Sequence, residues 1–154
     1  MLKSFGFTGG SLNKIDIKGR LNIPAQMRRV LAPDTYDEVV ISLGREGHLS
    51  LFNKNYWQNT ILQNFIDKAD NASNPKEWVV IQRDIQQLSK NSHMSTVDSQ
   101  GRITIPQWLL DRAGIKKDAL VIGSIDRINV WEPGKFDAWN ELTDEDSTSS
   151  GVYI

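Results

Sequence analysis

The sequence contains no cysteine among its 154 residues. This absence excludes disulfides, thiolate zinc sites and cysteine nucleophiles together. Long apolar runs are also missing: no stretch approaches the roughly 20 apolar residues that span a bilayer, and the N-terminal segment lacks the apolar run of a signal peptide. We therefore expect a cytoplasmic protein with no role at a membrane.

Histidine is scarce as well. His48 and His93 are the only two, and neither lies at a spacing typical of metal ligands or of a catalytic triad. The sequence also lacks a P-loop and a dinucleotide-binding glycine pattern. We expect no enzymatic activity, no metal, no cofactor and no small-molecule substrate.

An excess of positive charge is absent too, because the formal net charge is −1 at pH 7. That value argues against indiscriminate binding to nucleic acid, which depends on positive charges presented together. The charges are nevertheless segregated: residues 1–32 carry six basic side chains and one acidic one, whereas residues 132–146 carry six acidic side chains and one basic one. Segregation alone fits a solvated basic end and an acidic tail as well as it fits a binding surface.

The strongest pattern present is an internal repeat. Residues 16–24 read DIKGRLNIP and residues 98–106 read DSQGRITIP, which is identity at five of nine positions with an offset of 82. The same order of apolar segments follows both copies. Because a module of about 50 residues is marginally stable alone, we interpret the copies as mutually supporting parts of one core.

Each copy predicts the same local structure. Alternating apolar residues lead into a turn at Gly19 or Gly101, where glycine tolerates the positive φ that such turns need. A second strand follows in Leu21–Ile23 or Ile103–Ile105, and a proline then precedes a short helix. The predicted helices are 25–31 and 107–113, and the predicted later strands are 37–43, 48–53, 118–124 and 127–131.

A different pattern separates the copies. Apolar residues spaced three and four apart predict two amphipathic helices, one containing Trp57, Ile61, Phe65 and Ala69 and the other Trp78, Ile81, Ile85 and Leu88. Asn74, Pro75 and Glu77 form the start signal of the second helix. The tryptophans could line a ligand cage, but core packing is the favoured interpretation at this spacing.

The predicted organisation has four parts: a first repeat (8–54), a helical connector (55–91), a second repeat (92–138) and an acidic, disordered tail (139–154). A last helix is predicted over 133–142. The fold class is mixed β with short helices, with a helical hairpin inserted between two copies of one unit.

The motif with functional chemistry is an aspartate followed four residues later by an arginine, Asp16 to Arg20 and Asp98 to Arg102. The aspartate can accept hydrogen bonds from the turn and make it rigid, while the planar guanidinium matches phosphate or guanine bidentately. Each pair taken singly could also be a salt bridge that only holds a hairpin together. Further candidate contacts with DNA are Lys14, Lys18, Arg28 and Arg29.

The chain resembles the MraZ family of the AbrB-like superfamily. The likeness lies in the order of a hairpin, an Asp-x-x-Gly-Arg turn, an Ile-Pro pair and a short helix, which occurs twice, once on each side of a helical pair. The segments DIKGR, DSQGR, LSLFNKNYW and INVWEPGKF carry the resemblance over nearly the whole chain. It implies a duplicated swapped-hairpin β-barrel, a pseudo-dimer within one chain, that assembles into a homo-oligomeric ring. It also implies a nucleoid-associated transcriptional regulator that binds short direct repeats of double-stranded promoter DNA at the division and cell-wall gene cluster. By position, Arg20 and Arg102 would contact DNA, and Asp16 and Asp98 would organise the loops beside Gly19 and Gly101.

The two copies differ in their charge. At matched positions Lys18, Arg28 and Arg29 become Gln100, Leu110 and Asp111. The first copy is therefore expected to dominate DNA binding.

The alternative function is a protein-interaction module of antitoxin type with the same fold. Antitoxins typically pair one hairpin copy with a long disordered recognition segment, whereas this chain has two copies and a short tail.

Overall fold

The computed structural model describes residues 6–146, and the side chains as far as residue 143. The first repeat contains β1 (Gly10–Lys14), β2 (Arg20–Asn22), α1 (Ala25–Leu31), β3 (Glu38–Leu43) and β4 (Leu49–Asn53). The second contains β5 (Ser92–Thr96), β6 (Arg102–Thr104), α5 (Gln107–Ala113), β7 (Asp118–Gly123) and β8 (Ile128–Trp131). Between them lie α2 (Lys54–Tyr56), a π-helical segment (Trp57–Leu62), α3 (Gln63–Asp70) and α4 (Pro75–Lys90), and α6 (Pro133–Asp146) follows. The two repeats therefore have the same order of elements, as predicted.

The strands form an antiparallel sheet of six in the order β1-β7-β8-β4-β3-β5, together with a two-stranded ribbon of β2 and β6. The leading strand of each repeat pairs with a strand of the other: β1 with β7, and β5 with β3. The ribbon also joins the repeats, since β2 and β6 come from different copies. Neither repeat completes its sheet without the other.

The resemblance implied a closed barrel, and the described residues do not form one. The edge strands β1 and β5 are not paired with each other in this part of the chain. The physical reason lies in the turns at Gly19 and Gly101, which lead the chain out of the large sheet and into the ribbon. The second strands of the two hairpins pair with one another there, so the large sheet stays open.

The main core contains apolar side chains from both repeats. Leu21 and Ile103 face each other in the ribbon and are fully buried, and Leu31 and Leu109 of the short helices join the same cluster. Burial of apolar surface is the dominant stabilising term in folding. Because the buried surface is shared, the stability of each repeat depends on the other.

The short helices begin and end where the sequence predicts. α1 and α5 follow Pro24 and Pro106, whose extended backbone conformations bring the chain to the first helical residue. α5 ends at Gly114, which has φ +70° and adopts the left-handed conformation that glycine favours.

The inserted helices occupy 54–90, close to the predicted 55–91. Asn74 Oδ1 accepts a hydrogen bond from the Glu77 N–H at 2.9 Å, which caps α4 as predicted. Trp57 packs in a second apolar cluster with Val40 and Phe52 of the sheet, which confirms the core interpretation for that tryptophan.

Core packing is the wrong interpretation for Trp78, which is 49% exposed. Leu88, near the opposite end of α4, packs on the second cluster beside the sheet. Trp78 lies in the first turn of α4, next to the loop that joins the two inserted helices. The apolar spacing therefore continues along the helix beyond the part that the sheet covers.

The last helix is longer than predicted, because α6 continues four residues beyond Leu142 to Asp146. Its first turns pack Phe136 and Trp139 against Trp131. The part of the predicted acidic tail up to residue 146 is therefore helical, and 147–154 lie outside the described residues. Across the part of the chain that the structure covers, no helix is both long enough and apolar enough to cross a membrane.

Candidate nucleic-acid interface

The first Asp-Arg turn is held by its aspartate. One oxygen of Asp16, Oδ1, accepts hydrogen bonds from the backbone N–H groups of Lys18 and Arg20, at 3.0 and 2.9 Å. The other, Oδ2, accepts from Nε of Arg20 at 2.5 Å. A backbone hydrogen bond from the Gly19 N–H to the Asp16 carbonyl, at 2.9 Å, closes the turn. The carboxylate therefore fixes the loop and the base of the guanidinium together.

The second turn repeats this arrangement. Asp98 Oδ1 accepts from the N–H groups of Gln100 and Arg102, both at 2.9 Å, and Oδ2 accepts from Nε of Arg102 at 2.9 Å. The Gly101 N–H donates to the Asp98 carbonyl at 3.0 Å. Two segments 82 residues apart thus use the same hydrogen bonds. In both turns the carboxylate accepts from Nε of the arginine, and the two Nη groups make no hydrogen bond among the described residues.

Both turns need glycine. Gly19 and Gly101 have φ of +80° and +77°, the left-handed region that side chains disfavour. A Cβ at Gly19 would also lie 2.7 Å from the carbonyl oxygen of Ile105, which belongs to the other repeat. The first turn is consequently packed against the second copy of the unit.

The two aspartates are held in their ionised form. The hydrogen bond from the arginine backbone N–H is the largest cause that lowers the pKa of Asp16, and of Asp98, below the ordinary value of 3.8. Partial desolvation opposes it, and the arginine side chain and a second backbone N–H add to the lowering. Both turns therefore carry a carboxylate at neutral pH, and the guanidinium of each is oriented by it.

The ribbon presents both arginines on one face. Arg20 lies opposite Thr104 and Arg102 lies opposite Asn22, so the arginines are diagonal neighbours across the two strands. The central pair of the ribbon is fully buried, and the alternation of a strand places the residues on either side of that pair on the outward face. From standard strand spacings the two Cα atoms are about 8 Å apart. One surface thus carries two guanidinium groups, with one turn at each end.

The remaining basic candidates are on three different segments: β1, the first turn and α1. Lys14 on β1 forms an ion pair with Asp118 of β7 at 3.4 Å, which partly neutralises it. Lys18 is exposed in the first turn, and Arg29 is exposed on α1.

Arg28 belongs to the first repeat in the sequence, but in the structure it lies at the second turn. Its guanidinium lies against Gly101, so that a Cβ on that glycine would overlap it. The matched residue Leu110 lies against Gly19, with Cδ1 at 3.7 Å from where a Cβ would be. The expectation that the second turn has less positive charge around it is wrong with respect to Arg28. The exchange of strands between the repeats brings the α1 of the first copy to the turn of the second.

Sequence reasoning missed two side chains that tie the hairpins to the ribbon. Asn13 Nδ2 donates to the carbonyl of Asn22 at 2.8 Å, and Ser95 Oγ donates to the carbonyl of Thr104 at 3.1 Å. These donors are separated by the offset of the repeat, 82 residues, although their residue types differ. Extending the alignment by three positions before each aspartate would have found them.

Ile17 was also missed, although it stands in the first turn. Its side chain is 100% exposed, and the matched residue of the second turn is Ser99. One turn therefore offers an apolar side chain to solvent at the position where the other offers a hydroxyl.

One of the two histidines, His48, lies against an aromatic ring. His48 stacks on Trp131, with ring centroids 4.5 Å apart, and burial lowers its pKa. Its Nδ1 has no hydrogen-bond partner among the described residues, which also contain no group of three side chains arranged to hold a metal ion.

Comparison with known proteins agrees with the duplicated architecture. The profile of one family, described as "MraZ protein, putative antitoxin-like", matches the chain twice, over residues 7–80 and 88–151. A protein of Mycoplasmoides gallisepticum (strain R(low / passage 15 / clone 2)) named "Transcriptional regulator MraZ" is 30% identical over 135 residues, which cover 88% of this chain and 87% of that protein. Proteins with the same name from Chlorobium limicola (strain DSM 245 / NBRC 103803 / 6330) and Lachnoclostridium phytofermentans (strain ATCC 700394 / DSM 18823 / ISDg) are 33% and 30% identical, covering 83% and 90% of this chain and 85% and 93% of theirs.

Proposed function

Because the chain belongs to the MraZ family, we propose that it is a sequence-specific, DNA-binding transcriptional regulator with no enzymatic activity. The single observation that carries the proposal is the ribbon, which presents Arg20 and Arg102 on one face from turns that Asp16 and Asp98 hold rigid. The names of the relatives point to transcription regulation, and this geometry supplies a surface that suits it.

The ribbon has the dimensions of a groove-reading element. The major groove of B-DNA is about 12 Å wide and admits a two-stranded β-ribbon, whose strands are about 5 Å apart. Arginines on the outward face can make bidentate contacts with guanine edges or with phosphate oxygens. Because each guanidinium is already anchored through Nε, little side-chain entropy remains to be lost when it binds.

The basic side chains around the ribbon fit contacts with the DNA backbone. Lys18 and Arg29 are exposed, and Lys14 is tied to an acidic partner by an ion pair with both groups largely in water, which contributes little. Such contacts position a protein on the duplex, whereas base contacts specify the sequence. The modest net charge of −1 makes specific base contacts the more important term.

The resemblance extends the proposal to targets and assembly. We propose short direct repeats upstream of the division and cell-wall gene cluster as the target, a ring-shaped homo-oligomer as the assembly, and the nucleoid as the place of action. A ring suits few charges per chain, because linked sites on repeated boxes gain effective concentration without new contacts. The strand exchange between repeats fits the swapped-hairpin arrangement of AbrB-like proteins, in an open rather than a closed form.

A footprint on the DNA upstream of the gene that encodes this chain, repeated across salt concentrations, tests the proposal. We expect protected repeats with the unchanged chain and their loss in the Arg20→Ala/Arg102→Ala variant. Hydrogen bonds to charged groups contribute roughly 1.5–3 kcal/mol each, so the double variant should bind about a hundredfold or more weakly. The slope of log K against log salt should become shallower by about 0.9 for every phosphate that the variant no longer neutralises.

Unchanged occupancy in the double variant would refute the DNA-binding proposal. The alternative, an antitoxin-type interaction module, is favoured only by the description of the family as antitoxin-like. It predicts co-purification with a protein partner and no salt-sensitive retention on promoter DNA.

A further inference from the structure

The two turns of the ribbon are each completed by the opposite repeat. After β2 the chain passes the second turn, where the Ile23 N–H donates to the Gly101 carbonyl at 3.2 Å. After β6 it passes the first turn, where the Ile105 N–H donates to the Gly19 carbonyl at 2.8 Å. The short helix that follows each strand therefore lies beside the turn of the other copy.

This crossing gives the turns unlike neighbours. Arg28 of α1 lies against Gly101, whereas its counterpart Leu110 of α5 lies against Gly19. Leu110 is 2% exposed and belongs to the core, so at the first turn this position is part of the packing. At the second turn the same position carries a guanidinium.

The Arg28 guanidinium is available to a ligand. Among the described residues its side chain makes no hydrogen bond or ion pair, whereas its backbone N–H donates to the Pro24 carbonyl at 2.9 Å and its carbonyl accepts from the Ala32 N–H at 2.8 Å. The side chain borders a polar recess of about 140 Å³ that Asp34, Asp98, Ser99 and Gly101 also line. Asp98 there is already engaged by Arg102, with Nε and Oδ2 at 2.9 Å. A guanidinium with five donors thus lies at the rim of the second turn with its hydrogen-bonding capacity unused.

We propose that Arg28 and Arg102 form a two-arginine site for one DNA phosphate at the second turn, assembled from both repeats. The inference rests on the proposed function and adds that the two turns make different contacts with DNA. The second turn binds the backbone through two guanidinium groups. The first turn, which carries Arg20, the exposed Ile17 and the apolar Leu110 at the matched place, contacts the DNA differently.

The unequal turns have a consequence for the DNA target. A ribbon with two equal ends would suit a palindromic box, since its pseudo-twofold symmetry would match that of the DNA. A phosphate site at one end only favours one orientation of the ribbon on the duplex. Each chain should therefore read an asymmetric box.

Ethylation interference on the upstream duplex, with the full chain at about 0.1 M salt, is the experiment that tests the site. Arg28→Leu substitutes the residue type of the other repeat, and Arg28→Lys keeps the charge without the planar fork. Arg83→Leu on α4 is the matched control, because it removes one exposed positive charge from the inserted hairpin. Far-ultraviolet circular dichroism and thermal melting check that each variant folds.

The expected result is that Arg28→Leu raises Kd about tenfold or more, in keeping with loss of a hydrogen bond to a charged group. The salt slope should become shallower by up to about 0.9 per bound copy with Arg28→Leu, because Arg102 still contacts the shared phosphate. With Arg28→Lys the slope should stay unchanged and the Kd should be intermediate. In the Arg28→Leu variant, ethylation should no longer interfere with binding at the phosphates where Arg102→Ala also abolishes interference. It should still interfere at the phosphates where Arg20→Ala abolishes interference. Arg83→Leu should leave the pattern intact.

Two results overturn the inference while leaving the proposed function in place. One is a Kd and slope for Arg28→Leu equal to those of Arg83→Leu. The other is relief at the phosphates of the Arg20→Ala set. If the unchanged chain does not bind the duplex at all, the proposed function fails and the two-arginine site fails with it.

Discussion

The exchange of strands makes a quantitative prediction about the centre of the ribbon. Leu21 and Ile103 are directly opposite each other in β2 and β6, come from different repeats and are both 0% exposed. Truncating either to alanine removes buried methyl groups and leaves a cavity between the copies. We expect each single substitution to destabilise the whole chain rather than its own repeat.

The magnitude follows from the burial. Replacing a buried leucine or isoleucine with alanine costs about 2–5 kcal/mol, depending on how far the site collapses. For a chain of this size, 1 kcal/mol shifts Tm by about 2–4 °C, so a loss of about 3 kcal/mol lowers Tm by about 6–12 °C. The exposed Leu12, 65% accessible on β1, is the control, and its replacement by alanine should change the unfolding free energy by less than about 0.5 kcal/mol.

The assay is urea and thermal unfolding of Leu21→Ala, Ile103→Ala and the double variant, all at one protein concentration because assembly would make Tm concentration-dependent. Each variant should unfold in a single transition. Because the two side chains are cross-strand partners, the double-mutant cycle should give a coupling energy of about 0.5–3 kcal/mol. A biphasic transition in either single variant, or additivity within about 0.3 kcal/mol, would show that the repeats do not share this core.

The other predictions concern the turns. In urea unfolding, Gly19→Ala should lower the unfolding free energy by more than the roughly 1–2 kcal/mol of a left-handed alanine, because a Cβ would also press on the backbone of the other repeat. Gly114 has φ +70° and open space around it, so Gly114→Ala should lower the unfolding free energy only by the conformational cost of a left-handed alanine. The lowered pKa values of Asp16 and Asp98 stabilise the fold above the ordinary value of 3.8, and that contribution should be lost as pH falls through the folded-state values. Asp16→Asn/Asp98→Asn should therefore unfold with a shallower pH dependence between about pH 5 and 3; an unaltered slope would show that these carboxylates do not stabilise the turns.

The sequence by itself determined the features that depend on neighbours along the chain. The spacing of aspartate, glycine and arginine predicted both turns, because an aspartate can bond only to N–H groups within its reach and glycine adopts their positive φ at the least cost. The prolines and Gly114 set the ends of the short helices, and Asn74 set the start of α4. These signals are local, so the fold around them does not alter them.

Tertiary structure alone decided which copy completes each turn. In the sequence Arg28 is eight residues from Arg20, but in space it lies against Gly101, because the strand before it pairs across the repeats. In the same way, the apolar spacing of Trp78 predicted a helix but not whether the sheet extends far enough to cover it. Strand pairing and burial join residues that are distant along the chain, and no local pattern of residue types specifies those partners.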